Sequence, residues 1–359
     1  MHMPDEGRHR AVYLTEFRKP LSPGTAETPE PRGEQVLIRV VGAGICHSDV
    51  HVWEGVWSST GAPRRLPHIQ SHEIAGVVER VGERVPDAFR EGTGVLVYAW
   101  QWEHDDMFTA EGLTNLSDSP LVPGIHTDGG FQEYYLVPHY RYLINASGIS
   151  DLAAAAPLTC GGLTTYRAVR KAAPYVRPDD YVAVIGLGGL GAYAAQYIRK
   201  FCPQANLIGI DMKESAVDFV SSITPLDSHI VPHDGDVLSS IRAETHGSGL
   251  RAVIDLVGSG TLSTYIRALA KGGIYVLVGL MGSGKTDTIS PGSTVLLERN
   301  ISGSYVGTLA EQHEVVALAR KGVIDYRKPV TARMPLDDAY AGLQALHSGQ
   351  VLGRQVVTP

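Results

Sequence analysis

The sequence has few cysteines, no excess of positive charge and no long uninterrupted apolar run. Cys46, Cys160 and Cys202 are the only thiols in 359 residues, too few for a disulfide scaffold, so the position of each carries information. The 31 basic side chains are outnumbered by 38 acidic ones, for a net charge of −7. That balance argues against a nucleic-acid binder, which needs a net basic face to neutralise phosphates. The longest apolar run, residues 181–195, is shorter than a membrane span and is broken by glycines. Residues 1–10 carry Asp5, Glu6, Arg8 and Arg10 and lack the apolar core of a secretory signal. Internal repeats and low-complexity tracts are also missing. Together these absences predict a soluble, cytoplasmic chain with no nucleic-acid or membrane partner.

What is present points to two domains. The length suits two cores, and 43% hydrophobic with 19% charged residues is a globular composition. Forty glycines and 21 prolines imply many turns and disfavour a helical bundle. Runs rich in Val, Leu and Ile predict strands over 35–41, 74–81, 94–100 and 131–137, the last after the turn signal Asp128-Gly129-Gly130. Helical periodicity is scarce before residue 150. Beyond it the rhythm changes: strands over 181–185, 207–210, 251–256 and 273–278 alternate with helical stretches such as 189–201. That alternation predicts an α/β domain with a parallel sheet covered on both faces. A short amphipathic helix is expected over 336–347, with Leu343 and Leu346 inward.

Gly186-Leu187-Gly188-Gly189-Leu190-Gly191 directly follows an apolar strand and opens a helix, and Asp211 ends the next strand 20 residues beyond Gly191. This is the dinucleotide-binding fingerprint in its required context. Gly186 permits a tight turn, Gly188 lets the backbone approach a pyrophosphate, and Gly191 lets the helix pack on the strand. The helix N-terminus offers free N–H groups to the phosphates. Asp211 can accept hydrogen bonds from the adenosine ribose and repel a 2′-phosphate, which favours NAD over NADP; Lys213 softens that exclusion. A second pattern, Gly279-Leu-Met-Gly-Ser-Gly284-Lys285-Thr286, fits a P-loop. The residues that follow, Asp287 to Gly292, include Pro291 and cannot run as the helix a P-loop needs, so the match is read as chance.

Cys46 is followed 26 residues later by His72, and Cys160 lies 88 residues beyond that. Two thiolates and an imidazole suit a tetrahedral zinc with its fourth position open. No spacing rule joins ligands so far apart. Taken singly, Cys46 fits a buried small apolar residue better than a ligand, and His72 a structural histidine. Cys202 reads as packing.

These residues sit in a longer series of motifs. Gly44-Ile-Cys46-His47-Ser48-Asp49 is followed by His72-Glu73-Ile-Ala-Gly76 with Val81-Gly82, then Asp128-Gly129-Gly130-Phe131. Ala156-Pro157-Leu158-Thr-Cys160, the run to Thr164-Thr-Tyr, the glycine fingerprint and Gly353-Arg354 complete it. The series, spanning about residues 10 to 357, resembles the zinc-dependent alcohol dehydrogenase branch of the medium-chain dehydrogenase/reductase family. The resemblance implies a GroES-like β-rich catalytic domain over 1–158 and a Rossmann NAD-binding domain over 159–305. Residues 306–359 would return to the catalytic domain. It implies one catalytic zinc per chain on Cys46, His72 and Cys160, with Glu73 as a nearby or transient fourth ligand. Asp49 would orient the His72 ring, and Ser48 and His51 would relay a proton. Thr164 would lie against the nicotinamide, and His47 and Arg354 near the pyrophosphate. The reaction implied is reversible oxidation of a small-molecule alcohol to its aldehyde or ketone by NAD, in a homodimer or homotetramer. The strand around 301–306 is a candidate edge for the contact.

The chain departs from that pattern in places. The four cysteines of the family's structural zinc lobe are missing from residues 101–127, so no structural zinc is expected there. Glu103, His104, Asp105 and Asp106 are a poor substitute and read as a solvated loop. Ser71 replaces a glycine, Thr93 an acidic residue, and His47 a frequent arginine. Trp53, Trp57, Tyr98 and Trp100 are candidates both for an aromatic substrate wall, which would favour apolar or cyclic alcohols, and for core packing. Two other readings stay open at this point: a zinc-free quinone or enone reductase of the same superfamily, and a non-catalytic NAD-binding protein.

Overall fold

Val- and Ile-rich stretches form the strands, because branched side chains pack well on a pleated surface. The computed structural model describes residues 7–232, 237–258, 260–280 and 286–359. The chain divides into two compact units. The first comprises Met1–Cys160, Thr308–Gly322 and Val330–Pro359, and the second Gly161–Gly307 and Val323–Pro329.

In the first unit, β1 (Arg8–Tyr13) pairs antiparallel with β2 (Ser22–Glu27). It also holds β3 (Val36–Ile45), β4 (Glu73–Val81), β5 (Gly94–Val97), β6 (Tyr134–Val137) and β7 (Leu143–Asn145). The second unit holds β8 (Tyr181–Ile185), β9 (Asn206–Ile210), β10 (Ser228–Ile230), β11 (Leu250–Asp255), β12 (Leu269–Leu277) and β13 (Asn300–Gly303). The chain then returns β14 (Val330–Pro335) and β15 (Arg354–Thr358) to the first. The helices, in chain order, are α1 (His47–Glu54), α2 (Met107–Ala110), α3 (Gly161–Ala172), α4 (Gly189–Phe201) and α5 (Glu214–Ile223). They continue with α6 (Val237–Glu244), α7 (Leu262–Tyr265), α8 (Pro291–Leu296), α9 (Leu309–Arg320) and α10 (Ala339–His347).

The first unit's sheet runs β14-β15-β3-β4-β5-β7, with β6 also paired to β3. Its register places Gly44 of β3 opposite Glu73 of β4 on one side and Val356 of β15 on the other. The end of β3 therefore lies between the starts of β4 and β15.

The second unit's sheet runs β10-β9-β8-β11-β12-β13, and every pair in it is parallel. Strands β8 to β10 step one way and β11 to β13 the other, so the order reverses beside β8. Such a reversal opens a crevice at the carboxyl ends of the strands. The core beneath is apolar, with Ala183, Ile208, Val253 and Tyr275 fully buried.

Several expectations shift. Helix α1 falls where few helices are expected. The strand over 94–100 stops at Val97 and that over 131–137 starts at Tyr134. Leu336–Asp338 is a single 3-10 turn before α10, with Leu343 buried and Leu346 half-buried. Residues 281–285 of the P-loop-like segment lie outside the described residues, and 286–290 are not helical. Among the described residues no helix is long and apolar enough to cross a membrane.

Candidate functional site

Cys46 follows β3 and caps α1, and His72 and Glu73 open β4. Cys160 ends the 3-10 segment Ala153–Thr159, which packs on β3 and β4. One ligand atom from each of these four residues lies within 4.8 Å of the others, and all four are buried. The register makes this possible. A Cβ on Gly44 would stand 2.0 Å from Glu73 Oε2, so the missing side chain is the space that carboxylate occupies. Both His72 ring nitrogens and Glu73 Oε2 are buried without a hydrogen-bond partner. An unsatisfied buried polar atom costs about 1–3 kcal/mol. One cation would satisfy one of the two imidazole nitrogens together with Glu73 Oε2, and a thiolate–imidazole donor set suits zinc. The residues present fit that ion.

The electrostatics point the same way. Cys46 is held well below the ordinary thiol range, first by its hydrogen bond with Cys160, then by His72 and Arg354. Cys160 is pushed up by that same bond and by burial. Burial alone would depress the His72 imidazole, but Cys46, Asp49 and Glu73 outweigh it and raise it to about 9. The Arg354 guanidinium pairs with Glu73 Oε1, with both groups buried. A lone buried charge is costly, and each of these offsets the other. This partner, 281 residues from Glu73, had no local signal in the sequence.

Asp49 is fully buried, and burial raises its carboxyl to about 7. Its Oδ2 accepts from Cys46 N at 2.8 Å and its Oδ1 from Ser71 N at 3.0 Å. Gln70 donates to its carbonyl at 2.7 Å. His72 Nδ1 stands 3.9 Å away, beyond hydrogen-bond range. Asp49 thus holds the backbone on both sides of the cluster. Ser48 Oγ lies 4.0 Å from Cys46 Sγ. His51 is three residues further along α1, on the same helix face. Its Nδ1 is buried without a partner, and its ring is 5.4 Å from Trp57. His47, half-buried beside Cys46, has its imidazole pushed down by burial. Trp100 meets the His72 ring edge-on at 5.8 Å. Trp53 and Tyr98 are spent on packing: Trp53 Nε1 donates to Lys19 O at 2.8 Å, and the Tyr98 hydroxyl pairs with Thr114 Oγ1 at 2.9 Å.

Residues 101–127 form a lobe braced by its own carboxylates. Asp106 accepts from Thr109 N (2.8 Å), Ser117 Oγ (2.7 Å) and Asp118 N (2.8 Å). Asp105 accepts from Trp102 Nε1 at 2.7 Å, and Glu103 pairs with Arg64. Glu103, His104 and Asp105 are exposed and Asp106 is half-buried, and the three carboxylates also hold hydrogen bonds to the chain.

In the second unit the glycine turn joins β8 to α4. Gly186 has φ +93°, and a Cβ on Gly191 would approach Gly186 O to 2.4 Å. Gly188 caps α4, and no atom lies within 4 Å of where its Cβ would stand, so the space there is open. Gly189 and Leu190 form the first turn of α4. Asp211, just beyond β9, accepts from Leu187 N at 2.7 Å and Lys213 N at 3.0 Å. Each carboxylate oxygen keeps a lone pair for another donor. Thr164 lies on α3 and is 8% exposed.

A thiolate–imidazole centre in a β-rich unit, with a glycine turn and acidic strand end in a parallel-sheet unit, defines a metal-dependent, dinucleotide-linked oxidoreductase. Comparison with known proteins makes the class specific. Residues 32–148 match the alcohol dehydrogenase GroES-like domain, and residues 189–321 match the zinc-binding dehydrogenase domain. Over 98% of its length the chain is 41% identical to the whole of an NAD-dependent alcohol dehydrogenase from Saccharolobus solfataricus. It is 35% identical to a D-arabinose 1-dehydrogenase (NADP(+)) of the same organism, over 98% of both chains. The solved alcohol dehydrogenase of Aeropyrum pernix superposes with a TM-score of 0.87 at 30% identity, over 98% of this chain and 100% of that one. The chain belongs to the zinc-dependent alcohol dehydrogenase branch of the medium-chain dehydrogenase/reductase family, with the GroES-like and Rossmann folds of that family.

Proposed function

We propose that the chain interconverts an alcohol and its aldehyde or ketone, with hydride passing to or from NAD. The observation that carries this reading is the buried Cys46–His72–Glu73–Cys160 cluster, whose His72 nitrogens lack partners, beside Ser48 and His51. When bound, zinc on Cys46, His72 and Cys160 would supply Lewis-acid stabilisation at the substrate oxygen, and NAD the hydride acceptor.

The chain's own residues do the rest. Ser48 Oγ takes the alcohol proton, and His51, one turn along α1, passes it on through Nδ1. Asp49 fixes Cys46 and Ser71 so that the donors keep their places. Glu73 stays at hand as a fourth donor. The resemblance also assigns Arg354 to the pyrophosphate together with His47, but its pairing with Glu73 supports a role in holding that carboxylate. The open space at Gly188 and the free N–H groups of α4 suit the pyrophosphate, and Thr164 the nicotinamide. Asp211 supports a preference for NAD, because a carboxylate there repels a 2′-phosphate. Trp100 supports an apolar or cyclic alcohol over a polyol. We assign one zinc per chain, because Asp105 and Asp106 are engaged by Trp102, Thr109, Ser117 and Asp118, and Glu103 is paired with Arg64. The edge strand β13, with Ile301 37% exposed, supports pairing with a second copy. The cluster itself counts against a zinc-free reductase.

The test is an alcohol-dependent NADH assay on zinc-loaded protein across primary, secondary and cyclic alcohols and sugars. Turnover of apolar alcohols with NAD is expected. Failure with every alcohol and carbonyl, using either NAD or NADP, would overturn the reading.

A further inference from the structure

Asp255, the last residue of β11, is fully buried at the carboxyl edge of the second unit's sheet. Its Oδ1 accepts from Val257 N at 2.9 Å and Gly258 N at 3.1 Å. Its Oδ2 accepts from the Tyr275 hydroxyl at 3.0 Å, and the Thr261 hydroxyl also lies against it. The Asp255 carbonyl accepts from Val278 N (3.0 Å) and Gly279 N (3.1 Å), which ties in the end of β12. Leu256 N donates to Ile185 O at 3.0 Å, which ties in the end of β8. One carboxylate therefore folds the turn at 256–258 onto itself while its backbone joins both neighbouring strands.

Two glycines leave room for that turn. A Cβ on Gly186 would reach Val257 Cγ2 at 3.1 Å, and one on Gly279 would meet the Val257 backbone at 2.3 Å. The turn is thus fitted between the dinucleotide loop after β8 and the loop after β12. Asp287 braces the next stretch, accepting from Gly260 N (2.7 Å) and Ser263 N (2.9 Å).

The strand order gives this turn a direction. Asp211 stands on the β9 side of β8, and the turn at 256–258 on the β11 side, across the reversal point where ligands seat. A dinucleotide with its ribose at Asp211 and its pyrophosphate over α4 extends its other half toward β11. We propose that Asp255 is a positioning residue for the cofactor. It holds the 256–258 turn as the wall against which the nicotinamide half seats. The inference rests on the reading of the second unit as an NAD site. Burial and the neighbouring Asp255 push the Tyr275 phenol well up, so it stays protonated and donates.

The test uses full-length, zinc-loaded protein with Asp255→Asn, Asp255→Ala and Tyr275→Phe. Binding of NADH and of AMP is read by fluorescence titration, and melting is followed without cofactor. Asp255→Asn should weaken NADH binding about tenfold and Tyr275→Phe about threefold, as expected for loss of hydrogen bonds to a charged group. AMP, which lacks the nicotinamide half, should bind all folded variants like the parent, and KM for NAD should rise more than kcat falls. Unchanged NADH affinity with a lowered melting temperature would overturn the inference, as would equal weakening of AMP and NADH. Tyr275→Phe keeps the test open if Asp255→Ala fails to fold. A parent that binds neither NADH nor NADPH would instead overturn the cofactor reading itself.

Discussion

We propose that Ser48 and His51 carry the proton chemistry on α1; neither is in the buried donor set. Ser48→Ala should therefore lower kcat about a hundredfold or more while zinc content stays at the parent value. Elemental analysis beside steady-state rates checks both halves, and unchanged turnover would remove Ser48 from the proton path. His9 allows a different test. It is 2% exposed, and its ring atoms pair with Thr28 Oγ1 and Gln132 Oε1, each at 3.0 Å. Burial lowers its pKa from 6.5, against the Gln132 contact. The native state thus binds fewer protons than the unfolded chain in the window just below that value. The stability carried by neutral His9 is present above about pH 6.5 and lost as pH falls toward the depressed native value. Between about pH 7.5 and 5.5, the parent should lose more melting temperature than His9→Gln does. Equal slopes would show that His9 does not contribute. At this scale the sequence shows residue types well and partners poorly. Cys46, His72 and Cys160 stand out as soft ligands, but Glu73 gives no sign of Arg354. Asp255 looks like any acidic residue at a strand end until Val257, Gly258 and Tyr275 are placed around it.

At the scale of elements, the long periodic segments were legible. The helix expected over 189–201 is α4, residue for residue. Helix α1 was not, because its buried set is Asp49, Val50, Val52 and Trp53. Those positions share one helix face, but the helix is only eight residues long and one of the buried four is a carboxylate, held in part by Ser71 from another segment. In the lobe at 101–127 the sequence shows the acids but not their donors, Thr109, Ser117 and Trp102; Glu103 and Asp105 stay exposed while paired with Arg64 and Arg141. Asp106 caps α2 and is held down to about 2 by backbone and hydroxyl donors. Asp106→Ala should loosen the lobe, lower the melting temperature by a few degrees, and speed proteolysis between 101 and 127 without releasing zinc. Zinc lost together with the lobe would mean that the lobe helps to hold a metal.

For the whole molecule, metal donors and glycine turn belong to different units. Removing metal should therefore affect them differently. Purified protein should contain about one zinc per chain, and chelation should abolish turnover and lower the melting of the first unit while NADH binding persists. About two zincs per chain would contradict a lobe that braces itself, and loss of NADH binding on chelation would contradict the separation. The sequence rhythm changes near residue 158, and the long first segment of one compact unit ends at Cys160, while Val323–Pro329 groups with the second unit apart from the rest of 306–359. The return of the chain to the first unit came from resemblance alone, since nothing local in β15 shows that it lies beside β3. That placement has a consequence for synthesis. β15 is an interior strand of the first unit's sheet, and its Arg354 neutralises a carboxylate laid down 281 residues earlier. A ribosome thus releases the four buried donor residues long before it releases the strand that completes their surroundings. Until then the growing chain carries a sheet with an open seam and an uncompensated acid, and its first-made unit is among the last to close.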